Sequence, residues 1–208
     1  MLNSLVSVKN DAKARFYDIQ IMLDVLKNNN KVDYQVILKS SLVLMIYNFV
    51  EGVMNNLIIT LFDVLQQENL SIKQLPNKFQ KTIFDYYLKK IGNNSGNLRR
   101  YYGYDDVKIC KISYEEISKY LKFFSGNLDA KSIREISCDK FGISLPNGID
   151  EPALLKVKNY RNKLAHGETK FSNTCQDITL EEMEYMCKQV DTYLNTIIDS
   201  YENFLNSI

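Results

Sequence analysis

An all-α bundle is the fold this chain predicts, and three observations carry the prediction. Apolar residues recur at i, i+3, i+4 and i+7 over stretches far longer than a strand. Glycine and proline, which punctuate turn-rich β architecture, number only 8 and 3 among 208 residues. The periodic stretches are also bounded by capping residues, two pairs with capping-box spacing: Ser113 with Glu116, and Thr179 with Glu182. Hydrophobic residues at 45% and aromatics at 12% are enough to fill the core of one domain.

Taken in order, the first helix is expected over residues 3–28, where Leu5, Ala12, Phe16, Ile19, Leu23 and Leu26 share a face; Asn28, Asn29 and Asn30 end it. A longer helix follows from Asp33 to Gln67. Its most apolar part, Leu42 to Leu65, is broken by Asn48, Glu51, Asn55, Asn56 and Asp63. No unbroken apolar run there approaches the ~20 residues that cross a bilayer, so it reads as a buried core helix. Ser71 and Pro76 mark a turn, and a helix over Asn77–Ile91 is closed by Gly92. Residues 93–97 read as a loop, residues 98–104 are basic and aromatic, and a short strand is expected near Val107–Ile112. Ser113 starts a helix that Gly126 stops, and Asp129 caps another that Gly142 closes. Asp150 and Pro152 then open a helix ending at Gly167, and Thr179 starts a final one running to Asn206.

Composition narrows the partners. With 26 basic against 25 acidic side chains the net charge is +1, so nucleic acid would have to be held by a local patch. Cys110, Cys138, Cys175 and Cys187 form no C-x-x-C pair and have no histidine at ligand spacing. They read as reduced thiols of a cytoplasmic protein, with no metal site. Residues 1–5 lack the basic-then-apolar pattern of a signal peptide, and no glycine-rich phosphate loop is present.

The chain has one histidine, His166, closing the run Arg161-Asn162-Lys163-Leu164-Ala165-His166-Gly167. Arginine offers a fixed positive fork to phosphate oxygens, and histidine, with an ordinary pKa of about 6.5, moves protons near neutral pH. On a wheel of about 100° per residue, Ala153, Leu154, Val157, Tyr160, Leu164 and Ala165 form a core-facing arc that includes Arg161. Asn159, Asn162 and His166 form the neighbouring polar stripe. A guanidinium on that arc needs a partner. Glu51, aligned with Asn48 and Asn55 on the apolar second helix, is the expected one. The alternative has Glu51 in a wet groove and Arg161 bent out to solvent. For His166 the plain reading is a helix-end side chain interacting with the dipole. Around it Lys156, Lys158, Lys163 and Lys170 make a local positive cluster, in which Lys156 reads as solvated surface.

The stretch Val157–Gly167 resembles the R-N-x-L-A-H-G form of the signature of HEPN-domain ribonucleases, an all-helical family. Leu44–Gly52 is similar to the Y-N-x-x-E helix of stand-alone bacterial HEPN proteins. The likeness continues through Phe171, the Thr179 cap and a last helix carrying Val190, Tyr193, Leu194, Ile197 and Ile198, while residues 68–150 carry none. The resemblance implies a single HEPN-like domain over residues 1–208, with extra helices inserted between the second long helix and the motif helix. It further implies a metal-independent endoribonuclease without cofactor, of the kind used as toxins or in phage defence. Catalysis would fall to Arg161 and His166, supported by Asn162 and Glu51.

Cleaving RNA without a metal needs a base for the 2′-hydroxyl, an acid for the leaving 5′-oxygen and a cation for the phosphate. One histidine per chain cannot serve both sides of a phosphorus, so a homodimer with a composite site is expected, as in HEPN ribonucleases. Lys158, Lys163 and Lys170 would hold flanking backbone; Arg99 and Arg100, among tyrosines that can stack bases, would aid selection, the alternative being an ordinary surface loop whose tyrosines pack on the domain. RNA and an antitoxin or defence-system partner are the expected ligands, with no membrane. The competing class is a non-catalytic HEPN-like binding or adaptor module, since some members bind without cleaving.

Overall fold

The computed structural model describes residues 5–92, 112–124, 126–146 and 151–208. Among these, every regular element is helical: α1 (Val6–Lys27), α2 (Val32–Gln67), α3 (Asn77–Ile91), α4 (Tyr114–Ser118), α5 (Ala130–Arg134), α6 (Glu151–Ala165), α7 (Phe171–Thr174) and α8 (Leu180–Ser207). A 3₁₀ turn over Ile72–Gln74 precedes α3, and a π-helical turn over Glu135–Lys140 extends α5.

The 36-residue α2 is the axis of the molecule. Leu42, Val43, Ile46, Val53, Met54, Leu57, Ile58, Leu61, Phe62 and Leu65 along it are sealed from solvent. By length and hydropathy alone it would pass for a membrane span, but α1, α6, α7 and α8 pack along it. Its hydrophobicity is spent on the core, as expected for a helix apolar nearly all round. Helix α1 returns along α2 through the predicted face, with Leu5, Ala12, Ile19 and Leu26 buried and Phe16 and Leu23 partly so. Helix α8 is strongly amphipathic, and its buried stripe runs from Met183 through Val190, Leu194 and Ile197 to Leu205. The Thr179 box that starts α8 is complete: Glu182 N–H donates to the Thr179 hydroxyl, and the Glu182 carboxylate accepts from Thr179 N–H.

Between α2 and α6 the inserted elements close around Phe62. Phe79, Phe123 and Phe141 meet its ring at centroid distances of 5.8, 6.4 and 6.0 Å. This cluster explains one difference from expectation. The helix begun at Ser113 ends at Ser118, not at Gly126. Leu121 and Phe123 are both buried, yet two residues apart on a helix they would point about 200° from each other. The chain turns instead, so that both reach the core. Gly142 has φ +71°, the left-handed backbone foreseen at that end. The expected loop at 93–97 and the strand near Val107–Ile112 lie outside the described residues, except for Ile112, whose carbonyl accepts a bond from Gln66.

After the motif helix, two side chains of α2 hold the returning chain. The Ser40 hydroxyl donates to the Phe171 carbonyl at 2.8 Å, and the buried Lys39 ammonium donates to the Ile178 carbonyl at 2.6 Å. Helix α7, a single turn between them, had no expected counterpart.

Candidate functional site

The motif helix ends where glycine lets it. Gly167 takes φ +67°, its N–H donates to the Leu164 carbonyl, and Glu168 N–H reaches back to Lys163 at 3.0 Å. These two bonds make a Schellman close, which favours glycine at that position. His166 is thereby the last residue before the turn, its imidazole exposed and without a hydrogen-bond partner among the described residues. On the expected arc Ala153, Leu154, Val157 and Tyr160 are buried, but Leu164 is only half-buried and Ala165 is exposed. The correction has a simple geometry: the last turn of α6 rises out of the bundle and lifts the histidine with it.

One turn back, Arg161 stays at the packed seam. Its guanidinium carbon lies 4.6 Å from the centroid of the Tyr47 ring, and Nη1 donates to the Asn162 side-chain oxygen at 3.1 Å. Among the described residues no carboxylate lies within ion-pair distance of it, so the direct pair with Glu51 expected from the sequence is not formed. A flat cation on an aromatic face gains about 0.5–2 kcal/mol without using up its N–H groups. That explains how Arg161 can be half-buried, unpaired by charge, and still carry free donors.

Glu51 lies one turn along α2 from Tyr47, and its charge acts on the Tyr47 hydroxyl. Burial pushes the Tyr47 hydroxyl up. A bond from the Leu128 amide opposes this, and the nearby Glu51 raises it further; the result is about 12. Tyr47 therefore stays protonated at neutral pH, with the Arg161 guanidinium over its ring and the Glu51 charge acting on its hydroxyl. Of the remaining stripe, Asn48 is exposed and the Asn55 oxygen accepts from the Tyr114 hydroxyl.

The lysines divide. Lys158 is committed elsewhere: its ammonium is 2.5 Å from Asp129, with only 19% and 16% of the two side chains exposed. Burial alone would raise the Asp129 carboxyl, but bonds from Lys158 and Ser132 hold it below its ordinary range. Lys158, expected to hold RNA backbone, is paired with Asp129 in this structure. Lys163 remains exposed, its ammonium 5.4 Å from the Tyr160 ring. With Lys156, Asn159 and Tyr160 it lines a shallow hollow of about 210 Å³ on the same face of α6. Lys156 is 3.6 Å from Glu182, and Lys170 is exposed. Arg99 and Arg100 lie outside the described residues.

Two features of this site escaped the sequence. Tyr47 was visible only as a letter in a motif. Its signal was its place one turn before Glu51 on the stripe facing a half-buried arginine. The Leu128 amide had no signal at all. Among the described residues no three His, Cys, Asp or Glu side chains converge as metal ligands would. Cys175 and Cys187 are buried thiols pushed up by that burial, Cys187 to about 12, which makes them poor nucleophiles.

Compared with known proteins, the chain matches the family described as HEPN_MAE_28990-like HEPN over residues 5–207. That match runs through residues 68–150, where no likeness was legible. No curated protein and no solved structure matches it.

Proposed function

The chain belongs to the HEPN_MAE_28990-like HEPN family, and from that premise we propose that it is a metal-independent endoribonuclease. The observation that carries this reading is Arg161: a guanidinium held over the Tyr47 ring, with no carboxylate partner among the described residues, five residues before a solvent-exposed His166. An arginine paired into the core would be structural. One held with open donors is positioned to receive an anion.

Along a helix, five residues separate the two side chains by about 7.5 Å of rise and about 140° of rotation. Within one chain they diverge, Arg161 toward the α2 seam and His166 toward the tip. This supports a homodimer in which two motif helices approach across one groove. In the reaction, one His166 takes the proton of the 2′-hydroxyl as its oxygen attacks phosphorus. The bond from phosphorus to the 5′-oxygen breaks, and the other His166 returns a proton to that oxygen. The products are a 2′,3′-cyclic phosphate and a 5′-hydroxyl. Arg161 stabilises charge on the phosphate oxygens, Asn162 fixes one guanidinium nitrogen, Glu51 supports Tyr47, and Lys163 and Lys170 hold neighbouring backbone. A cytoplasmic toxin or phage-defence effector, restrained by a partner protein, is the role such an activity suits.

Purified protein is expected to cleave single-stranded or looped RNA in EDTA, leaving cyclic-phosphate ends, and to spare DNA. His166→Ala is expected to abolish cleavage with an unchanged circular dichroism spectrum, because the exposed imidazole carries no packing. Cleavage by that variant at the wild-type rate overturns the reading and favours a binding or adaptor module.

A further inference from the structure

We propose that Tyr47 is a positioning residue for Arg161, its ring the platform that sets the plane of the guanidinium toward the substrate phosphate. The inference deepens the ribonuclease reading and concerns a residue that never touches the RNA.

Three observations carry it. The ring is only 4% exposed and packs within the core, so it does not swing freely. Its hydroxyl is anchored, accepting from the Leu128 amide at 2.9 Å. Next to Leu128, Asp129 grips Lys158 of the motif helix, three residues before Arg161. The segment at residues 128–129 therefore holds both walls of the seam, α2 through Tyr47 and α6 through Lys158, at the level where the guanidinium lies. Arg161 itself contributes a long flexible side chain with one further bond, to its neighbour Asn162. Without the platform, nothing else among the described residues fixes its plane.

A guanidinium that must meet charge developing on phosphate depends on placement, and a displacement near 1 Å can cost about a hundredfold in rate. Because that charge is greatest in the transition state, the loss falls on kcat rather than KM.

The test uses Tyr47→Met, which fills similar space without a π face, and Tyr47→Phe, which keeps the ring. Two readouts are taken. The first is the Arg161 Nε–Hε resonance by NMR, assigned with Arg161→Lys. It is expected to be ring-current shifted in wild type, to keep that shift in Tyr47→Phe, and to move toward the position of free arginine in Tyr47→Met. The second is cleavage kinetics: kcat is expected to fall about a hundredfold in Tyr47→Met with KM within about twofold, and to be largely restored in Tyr47→Phe. An unshifted Arg161 resonance in wild type overturns the proposal without recourse to any variant, whatever the folding of Tyr47→Met. A wild-type kcat in folded Tyr47→Met overturns it equally. If the wild-type protein cleaves no RNA, the ribonuclease reading fails while the resonance still decides the positioning role.

Discussion

Arg161 shows how a charge is kept at a packed seam with no ion pair among the described residues. The Tyr47 face and Asn162 oxygen contact it while leaving most of its donors free. Magnitudes separate this arrangement from the paired one. Breaking a buried ion pair by removing one partner costs about 3–5 kcal/mol; losing a cation–π contact costs about 0.5–2 kcal/mol. Arg161→Ala is therefore expected to abolish cleavage while lowering stability by no more than about 2 kcal/mol in urea unfolding. A loss above 3 kcal/mol would restore the Glu51 pair. His166 differs in kind. Its place depends on the Gly167 turn alone, so its removal reads out on chemistry and not on folding.

At the scale of elements, the segment capping α5 is what ties the insertion to the motif helix. Asp129 caps α5 through Ser132 N–H and Oγ with one oxygen and holds Lys158 with the other. Its carboxyl is held below its ordinary value of 3.8. For an acid depressed in the folded state, the stabilisation is present above the unfolded pKa and is lost as pH falls through the folded one. Asp129→Asn keeps a capping oxygen but discards the charge. It is expected to be less stable than wild type at pH 7, with the gap closing as pH drops below 3.8. Urea midpoints at pH 7 and pH 3 measure this, and an equal gap at both would show that the ion pair contributes nothing. Most helix ends were readable beforehand, because a cap or a C′ glycine acts on its own turn. The Ser113 helix was not, since its early stop is set by the distant Phe62, Phe79 and Phe141 rings that Phe123 must join.

For the whole molecule, the number of histidines makes assembly the central question. On the proposed reading, one His166 per chain, diverging from Arg161 around the helix, would need a second chain to make an acid–base pair. Light scattering is expected to give a dimer at micromolar concentration. Mixing inactive His166→Ala chains with wild type is expected to depress cleavage beyond dilution, since each mixed dimer lacks one of the two proton carriers. Activity that falls only in proportion to the wild-type fraction would mean that a single chain suffices. With a net charge of +1, binding is expected to rest on the Lys163 and Lys170 patch rather than on a field over the whole surface.

The sequence by itself determined the long helices, most of their ends, the central buried axis and the local run from Arg161 to Gly167. All of these depend on residues within a turn or two of each other, and hydrophobic spacing and capping chemistry report such neighbours directly. Only the tertiary structure decided what Arg161 rests on, that Lys158 pairs with Asp129, and that the Tyr47 hydroxyl accepts from the Leu128 amide. The Tyr47–Leu128 bond joins residues 81 apart and the Lys158–Asp129 pair residues 29 apart. Such partners are chosen by how helices pack in space, and one of them is a backbone amide, which no side-chain pattern can announce.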